Sequence, residues 1–244
     1  MSTAAVVIIG DEILSGKFAD ENGPFLIQQL ATLGVDLVRI AVVGDAMRAI
    51  VSEVRLACSC ADVVITTGGV GPTHDDITLE AVAEALERPL FLHPELEAML
   101  DRYQVPKDAS NLRMATVPQG TELVRSHPDG YPVLRVGKVW VLPGIPALVR
   151  RKFSVMAPLL QGVPKLRCRV YATDDESGVA AALAAVAAAH PAVAVGSYPR
   201  SDDDDHRLIV TVDGRDPAAT HAAVQAVQAV VQVVRVELAE GIDG

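Results

Sequence analysis

Aromatic residues are scarce in this chain: Phe, Tyr and Trp together make up 4% of it, with a single Trp. A core built without many large rings has to come from Val, Leu, Ile and Ala. Half of the 244 residues are apolar, enough for one large domain, or a main domain plus a small one. Basic residues are outnumbered, 21 Lys and Arg against 31 Asp and Glu, giving a net charge of -10 and a pI of about 5.0. That deficit argues against nucleic-acid binding through bulk electrostatics. It leaves room for an anionic small molecule, because a glycine loop and a metal create local positive potential. The three cysteines, Cys58, Cys60 and Cys168, are odd in number and lack zinc-knuckle spacing, so they read as thiols in a reducing compartment. The histidines show no metal-ligand spacing. No apolar run reaches membrane-spanning length, and no signal-peptide pattern precedes Ala4. The expectation is a soluble cytoplasmic protein with neither a nucleic-acid nor a membrane partner.

What is present centres on Val63 to Leu79, Val-Val-Ile-Thr-Thr-Gly-Gly-Val-Gly-Pro-Thr-His-Asp-Asp-Ile-Thr-Leu. Val63 to Thr67 is a short β-branched run that reads as a buried strand. Gly68, Gly69 and Gly71 follow, where a side chain would block close approach to the backbone. Asp75 and Asp76 come next, and a helical pattern begins at Thr78 (Leu79, Val82, Ala83, Leu86). As plain turn chemistry, Asp76 or Thr78 caps that helix. As a site, the loop exposes backbone N–H groups beside the positive end of a helix, which suits a phosphate. Carboxylates in the same loop repel such an anion unless a divalent cation sits between them.

The rest of the chain alternates strands and helices. Ala4 to Ile9 reads as a central parallel strand, ending in Gly10-Asp11-Glu12-Ile13-Leu14-Ser15-Gly16-Lys17. This second strand-end loop lacks the Gly-x-Gly-x-x-Gly of dinucleotide folds. In doubly wound sheets ligands sit outside the C-terminal strand ends, so the two loops can share a crevice. A helix over Asn22 to Leu33, a strand over Val35 to Val43 ending at Gly44-Asp45, and a helix over Ala46 to Ala57 complete an α/β domain with a mostly parallel sheet. Glu12, Asp45 and Asp75/Asp76 thus stand at successive strand ends, a pattern for a metal or an acid/base site. Further on come a helix over His93 to Tyr103, an irregular stretch from Gln104 to Ser110, and a hairpin of Val133 to Val136 with Lys138 to Leu142 around Gly137. Leu142-Pro143-Gly144-Ile145-Pro146 then opens a helix over Leu148 to Leu159, whose Arg150, Arg151 and Lys152 read as a solvated face. Past the linker Gln161 to Pro164, strands over Leu166 to Ala172, Val193 to Gly196 and Arg207 to Val212 alternate with helices over Glu176 to Ala189, capped near Asp174 or Asp175, and Pro217 to about Val230. Residues 165–244 are therefore expected to form a β-α-β-β-α module. The run Asp202 to Asp205 reads as a hydrated hairpin tip.

Taken together, Gly10-Asp11-Glu12-Ile13-Leu14-x-Gly16, Asn22, Val43-x-Asp45, Thr66-Thr67-Gly68-Gly69-Val70-Gly71-Pro72-Thr73-His74-Asp75-Asp76, Val117-Pro118 with Gly120, and Leu142 to Pro146 resemble the molybdopterin-binding (MoaB/MogA-like) domain of the CinA competence/damage-inducible family over residues 1–162. Gly71 to Asp76, His93 to Glu97, Pro143 to Pro146 with Arg150-Arg151, and Gly196-Ser197-Tyr198-Pro199 are similar to the molybdopterin-binding-like half of eukaryotic-type FAD synthases. The resemblance implies a three-layer α/β fold with a mostly parallel sheet and a second, smaller α+β module. It implies a divalent-metal-dependent pyrophosphatase taking FAD, ADP-ribose or a similar nucleotide diphosphate, with Mg, Mn or Co as the metal and potassium as a further candidate. Asp45, Asp76 and Glu12 are the implied metal ligands, and Asp76, Asp45 and Asp75 the implied catalytic carboxylates. Gly10, Asp11, Glu12, Thr67, Gly68, Gly69, Gly71, Pro72, Thr73, Thr78, Pro143 and Gly144 are the implied ligand contacts. Relatives also assemble, so a homo-oligomer is expected. One departure stands out: many CinA-type sequences carry Glu after Pro-Gly-x-Pro, where this chain has Ala147. That departure keeps a non-catalytic nucleotide- or pterin-binding protein as the alternative. A molybdopterin adenylyltransferase ranks lower, because MogA-like proteins usually lack the trailing module.

Overall fold

The computed structural model describes residues 2–127, 130–200 and 205–239. The chain divides into two compact units, Met1–Gly162 and Val163–Gly244.

In the first unit, β1 (Thr3–Ile9) passes through a one-turn helix α1 (Asp11–Leu14) and helix α2 (Asn22–Thr32) into β2 (Asp36–Val43). Helix α3 (Met47–Cys60) leads to β3 (Val63–Thr67), and α4 (Thr78–Ala85) follows the glycine loop. The short antiparallel pair β4 (Leu90–Leu92) and β5 (Thr116–Pro118) brackets α5 (Pro94–Arg102) and α6 (Ala109–Arg113). Strands β6 (Thr121–Val124), β7 (Val133–Val136) and β8 (Val139–Leu142) then run into α7 (Pro146–Met156), which tightens to a 3-10 turn at Ala157–Leu159.

The sheet order is β2-β1-β3-β8-β7-β6. β2, β1, β3 and β8 are parallel, and β7 and β6 add antiparallel strands at one side. Strand β1 is central because both of its faces are apolar. Ala5, Val7 and Ile9 enter one core with Ile50, Val54 and Val82, while Ala4, Val6 and Ile8 enter the other with Leu26, Leu30 and Phe153. Each fully buried Val, Ile or Leu contributes about 1.5–3 kcal/mol, so these two cores hold helices on both faces of the sheet. This is the three-layer architecture expected from the sequence. Its consequence for function lies in the register: Ile8 stands beside Thr67 and Thr67 beside Leu142. The loops following β1, β3 and β8 therefore leave the sheet side by side.

The second unit contains β9 (Leu166–Ala172), α8 (Glu176–Ala189), β10 (Val193–Pro199), β11 (Leu208–Gly214), α9 (Pro217–Gln228) and β12 (Val233–Ala239). Its antiparallel sheet has the order β10-β11-β9-β12, a split β-α-β arrangement. The expected β-α-β-β-α module thus gains a closing strand. β12 pairs along one edge of β9, and Leu238 within it stays 76% exposed, so its alternation of apolar and charged residues is a weak strand signal. β10 also runs on to Pro199, because Ser197, Tyr198 and Pro199 pair with Val210, Ile209 and Leu208. Asp175 occupies the N-cap position of α8 without a side-chain cap bond, and the Asp174 carboxylate instead accepts from the Gln232 N–H at 2.5 Å. Of the acidic run only Asp205 is described. It pairs with Arg235 and with His206 Nδ1, so it is not simply hydrated; Asp202, Asp203 and Asp204 lie outside the described residues. Cys58, Cys60 and Cys168 are free thiols.

Candidate functional site

The glycine loop after β3 is shaped by contact with the end of β1. Gly68 has φ +98, and a Cβ there would lie 2.0 Å from the Ile9 carbonyl oxygen, so no other residue fits. Its N–H donates to the Leu142 carbonyl at 3.2 Å, which fixes the loop against β8. The Thr78 hydroxyl donates to the Gly68 carbonyl at 2.8 Å, and the Thr78 N–H donates to the Gly69 carbonyl at 2.9 Å. Thr78, expected as a ligand contact, is a buried stitch between the loop and α4.

Asp76 does not cap α4. The N-cap position is Ile77, with no side-chain cap bond. Asp76 Oδ2 instead accepts from the Thr73 N–H at 2.9 Å and from the Thr73 hydroxyl, closing the tip of the loop. Arg113 of α6 holds this turn from behind. Its guanidinium donates to the Thr73 carbonyl at 3.0 Å and the Asp76 carbonyl at 2.7 Å, and pairs with Glu80 at 2.9 Å. The local pattern gives no hint of this contact, because Arg113 lies 37 residues from Asp76.

Asp11 after β1 and Asp45 after β2 are bonded to each other. The Asp11 N–H donates to Asp45 Oδ2 at 2.8 Å, and the Asp45 N–H donates to Asp11 Oδ1 at 3.3 Å. Partial burial pushes the Asp45 carboxyl above its usual range. The Asp11 amide opposes that shift, and the negative charges of Asp11, Glu12 and Asp75 add to it. Asp45 and Asp11 thus tie the ends of two adjacent strands together.

A cavity of about 810 Å³ opens where the loops after β1, β3 and β8 meet. Among the candidates named from sequence, Glu12, Thr67, Gly68, Gly69, Gly71, Asp76, Pro143 and Gly144 line it. Gly10, Asp11, Asp45, Pro72, Thr73, Asp75 and Thr78 do not. Of the implied metal ligands, Glu12 and Asp76 line the cavity; Asp45 is not among its lining residues, but the charges of Glu12 and Asp75 act on it. The structure adds Phe18, Asp20, Glu21, Asn22 and Ile145. Asp20 Oδ1 accepts from the Asn22 and Gly23 N–H groups at 2.9 and 3.0 Å, which starts α2, and the Asn22 side chain donates to the Gly144 carbonyl at 2.8 Å. An Asp just ahead of a helix start is a readable cap signal; the Asn22–Gly144 bond, spanning 122 residues, is not.

Among the described residues, four carboxylates line the cavity (Glu12, Asp20, Glu21 and Asp76), and no Lys, Arg or His does. The Thr67 hydroxyl, in a residue only 1% exposed, has no hydrogen-bond partner among the described residues. A buried hydroxyl without a partner costs about 1–3 kcal/mol, and Thr67 belongs to the residues that line the cavity. Among the described residues no three His, Cys, Asp or Glu side chains form a ready-made metal cage. Mg-type cations are commonly held by one or two carboxylates with waters and ligand phosphates completing the shell. The hard oxygen donors of Glu12 and Asp76 fit that pattern.

A three-layer α/β domain with an acid-walled cavity at the C-terminal strand ends is a small-molecule-binding architecture. Residues 5–162 match the probable molybdopterin binding domain, and the chain belongs to that family. Residues 164–237 match the FAD synthase middle domain. A probable FAD synthase of Caenorhabditis briggsae is 35% identical over 240 residues, covering 86% of this chain and 46% of the relative. A CinA-like protein of Myxococcus xanthus is 33% identical over 242 residues, covering 88% of this chain and 56% of that one. The chain spans about half the length of the curated relatives it matches. Among solved structures, the CinA protein of Thermoplasma acidophilum superimposes with a TM-score of 0.60 at 29% identity, over 65% of this chain and 99% of that one. No helix among the described residues is long and apolar enough to cross a membrane.

Proposed function

We propose that the first unit is a divalent-metal-dependent nucleotide pyrophosphatase acting on FAD, ADP-ribose or a similar nucleotide diphosphate. The observation that carries this reading is the cavity wall. Among the described residues it has four carboxylates, no basic side chain and one buried hydroxyl lacking a partner. A diphosphate enters such a wall only with a cation between, and Glu12 and Asp76 are the residues that would hold it. A divalent metal held there would supply charge neutralisation for the diphosphate and its leaving group. The chain's own groups do the rest: N–H groups of the Gly69–Gly71 loop act as fixed donors to phosphate oxygens, Thr67 donates to a ligand oxygen, and Glu12 orients the attacking water. The resemblance to probable FAD synthases and to the FAD synthase middle domain supports a flavin nucleotide among the ligands.

Incubating the purified protein with FAD or ADP-ribose and Mg²⁺, Mn²⁺ or Co²⁺ should release AMP. Absence of turnover with every metal removes the enzyme reading. A second reading, a non-catalytic nucleotide- or pterin-binding protein, is favoured by Ala147. This residue puts a methyl group in the first turn of α7, next to Pro146 of the cavity wall, where many CinA-type sequences carry a carboxylate. Calorimetric binding without turnover supports it.

A further inference from the structure

Three consecutive basic residues on α7 do not form one solvated face. Arg150 lies over the Phe25 ring at 4.7 Å and pairs with Glu21 at 3.8 Å. Arg151 and Lys152 instead line a second cavity of about 400 Å³, together with Arg125, Tyr103, Tyr131 and Ser126. Lys152 is drawn inward: its ammonium donates to the Tyr131 carbonyl at 2.7 Å and to the Pro132 carbonyl, and it lies 4.6 Å from the Tyr131 ring centre. Arg125 pairs with Glu95 at 2.5 Å and donates to the Gly130 carbonyl at 3.1 Å. Among the described residues, three cations and no carboxylate line this cavity, in a protein with a net charge of -10. Burial first, then the positive charges of Arg151 and Arg125, lower the Lys152 pKa to about 8. Among the described residues Arg125 has a carboxylate partner, Glu95, and Lys152 has only carbonyl partners, so a concave, half-buried space lined by these like charges is suited to an anion. Leu148 lines both this cavity and the acidic one, so the two are neighbours.

We infer that the Arg125–Arg151–Lys152 cavity is a phosphate-binding subsite, taking the phosphomonoester end of a ligand whose organic part packs against Tyr103 and Tyr131. The cations recognise the phosphate, and the two tyrosines, 51% and 42% exposed, offer ring faces to a base or sugar. The subsite stands on its own lining and does not require hydrolysis in the acidic cavity.

The two cavities are separable by their charge. The acidic one repels phosphate unless a divalent metal is present, whereas the basic one does not need metal. Chelator-treated protein should therefore bind inorganic phosphate saturably when titrated in a calorimeter or followed by phosphorus NMR. Arg151→Ala should weaken that binding about 10-fold, the usual effect of losing a charge-assisted hydrogen bond. Arg151 is exposed and its variant should keep the wild-type circular dichroism and melting curve, while Asp76→Asn should bind phosphate as the wild type does. AMP should bind at least about 10-fold tighter than inorganic phosphate, and Tyr103→Ala should close that gap. If AMP is no tighter, the site is one for free phosphate and the ring-packing half of the proposal is wrong. No saturable metal-free binding, or equal binding by Arg151→Ala, overturns the subsite. Failure of AMP release from FAD leaves it untouched and bears only on the pyrophosphatase reading.

Discussion

Replacing Thr67 by Val tests whether the acid-walled cavity is built for an occupant. Val has the shape of Thr without the hydroxyl, and Thr67 sits 1% exposed at the end of β3, between Ile8 of β1 and Leu142 of β8. In an ordinary core Thr→Val removes a satisfied hydroxyl and costs about 1 kcal/mol. Here the hydroxyl has no partner among the described residues, so its desolvation is uncompensated and the change should raise ligand-free stability by up to about 1 kcal/mol. For a unit of this size that is an upward Tm shift of about 2–4 °C. Ligand binding should move the other way, because a neutral hydrogen bond contributes about 0.5–1.5 kcal/mol, or roughly 2- to 10-fold in affinity. Differential scanning calorimetry of the free protein, with titration of ADP-ribose in the presence of Mg²⁺, reads both quantities. A lower Tm together with unchanged affinity would refute the reasoning, since it assigns the hydroxyl to the fold.

Arg113→Ala should loosen the glycine loop, because the carbonyls of Thr73 and Asp76 lose their shared donor. With the guanidinium partly solvated, a cost of roughly 1–2 kcal/mol is expected, together with faster amide exchange confined to residues near Thr73 to Asp76. Lys152 should make stability depend on pH. Its folded pKa, about 8, lies below the ordinary 10.5, so the unfolded chain binds more protons between these values and stability rises with pH across that window. The difference in denaturation midpoint between wild type and Lys152→Met should carry this slope, and a flat difference from pH 8 to 10.5 contradicts it. A homo-oligomer is also expected, and light scattering should give a mass above the 25.7 kDa of one chain.

Local pattern carried the scaffold and the loop. β3 occupies Val63–Thr67 as the β-branched run implied, and Gly68 has the positive φ that its place after a strand suggested. The strands that escaped local reading are those with little periodicity to show. β4 and β5 have three residues each, β6 has four, and β12 is an edge strand whose outer positions stay wet. The candidate site was legible only in part, because a motif names residue types and the fold decides where each points. The motif named Asp45, Asp76 and Thr78, but not that Asp45 would accept from the Asp11 amide, Asp76 from Thr73, or that Thr78 would bond Gly68. Arg113 and the Lys152 cavity depend on chain segments brought together by the sheet, which spacing along the sequence does not encode.

The central claim, that the acidic cavity takes its phosphate ligand through a divalent cation held by Glu12 and Asp76, is tested most directly by one calorimetric comparison. ADP-ribose is titrated into wild-type and Asp76→Asn protein, each with Mg²⁺ and with chelator. Asn keeps an oxygen to accept from Thr73, so the loop should stay folded while the site loses one negative charge. The account predicts Mg²⁺-dependent binding by the wild type and a loss of roughly 10- to 100-fold in the variant, by analogy with disturbed metal sites. Equal affinity with and without Mg²⁺, unchanged in Asp76→Asn, would contradict it.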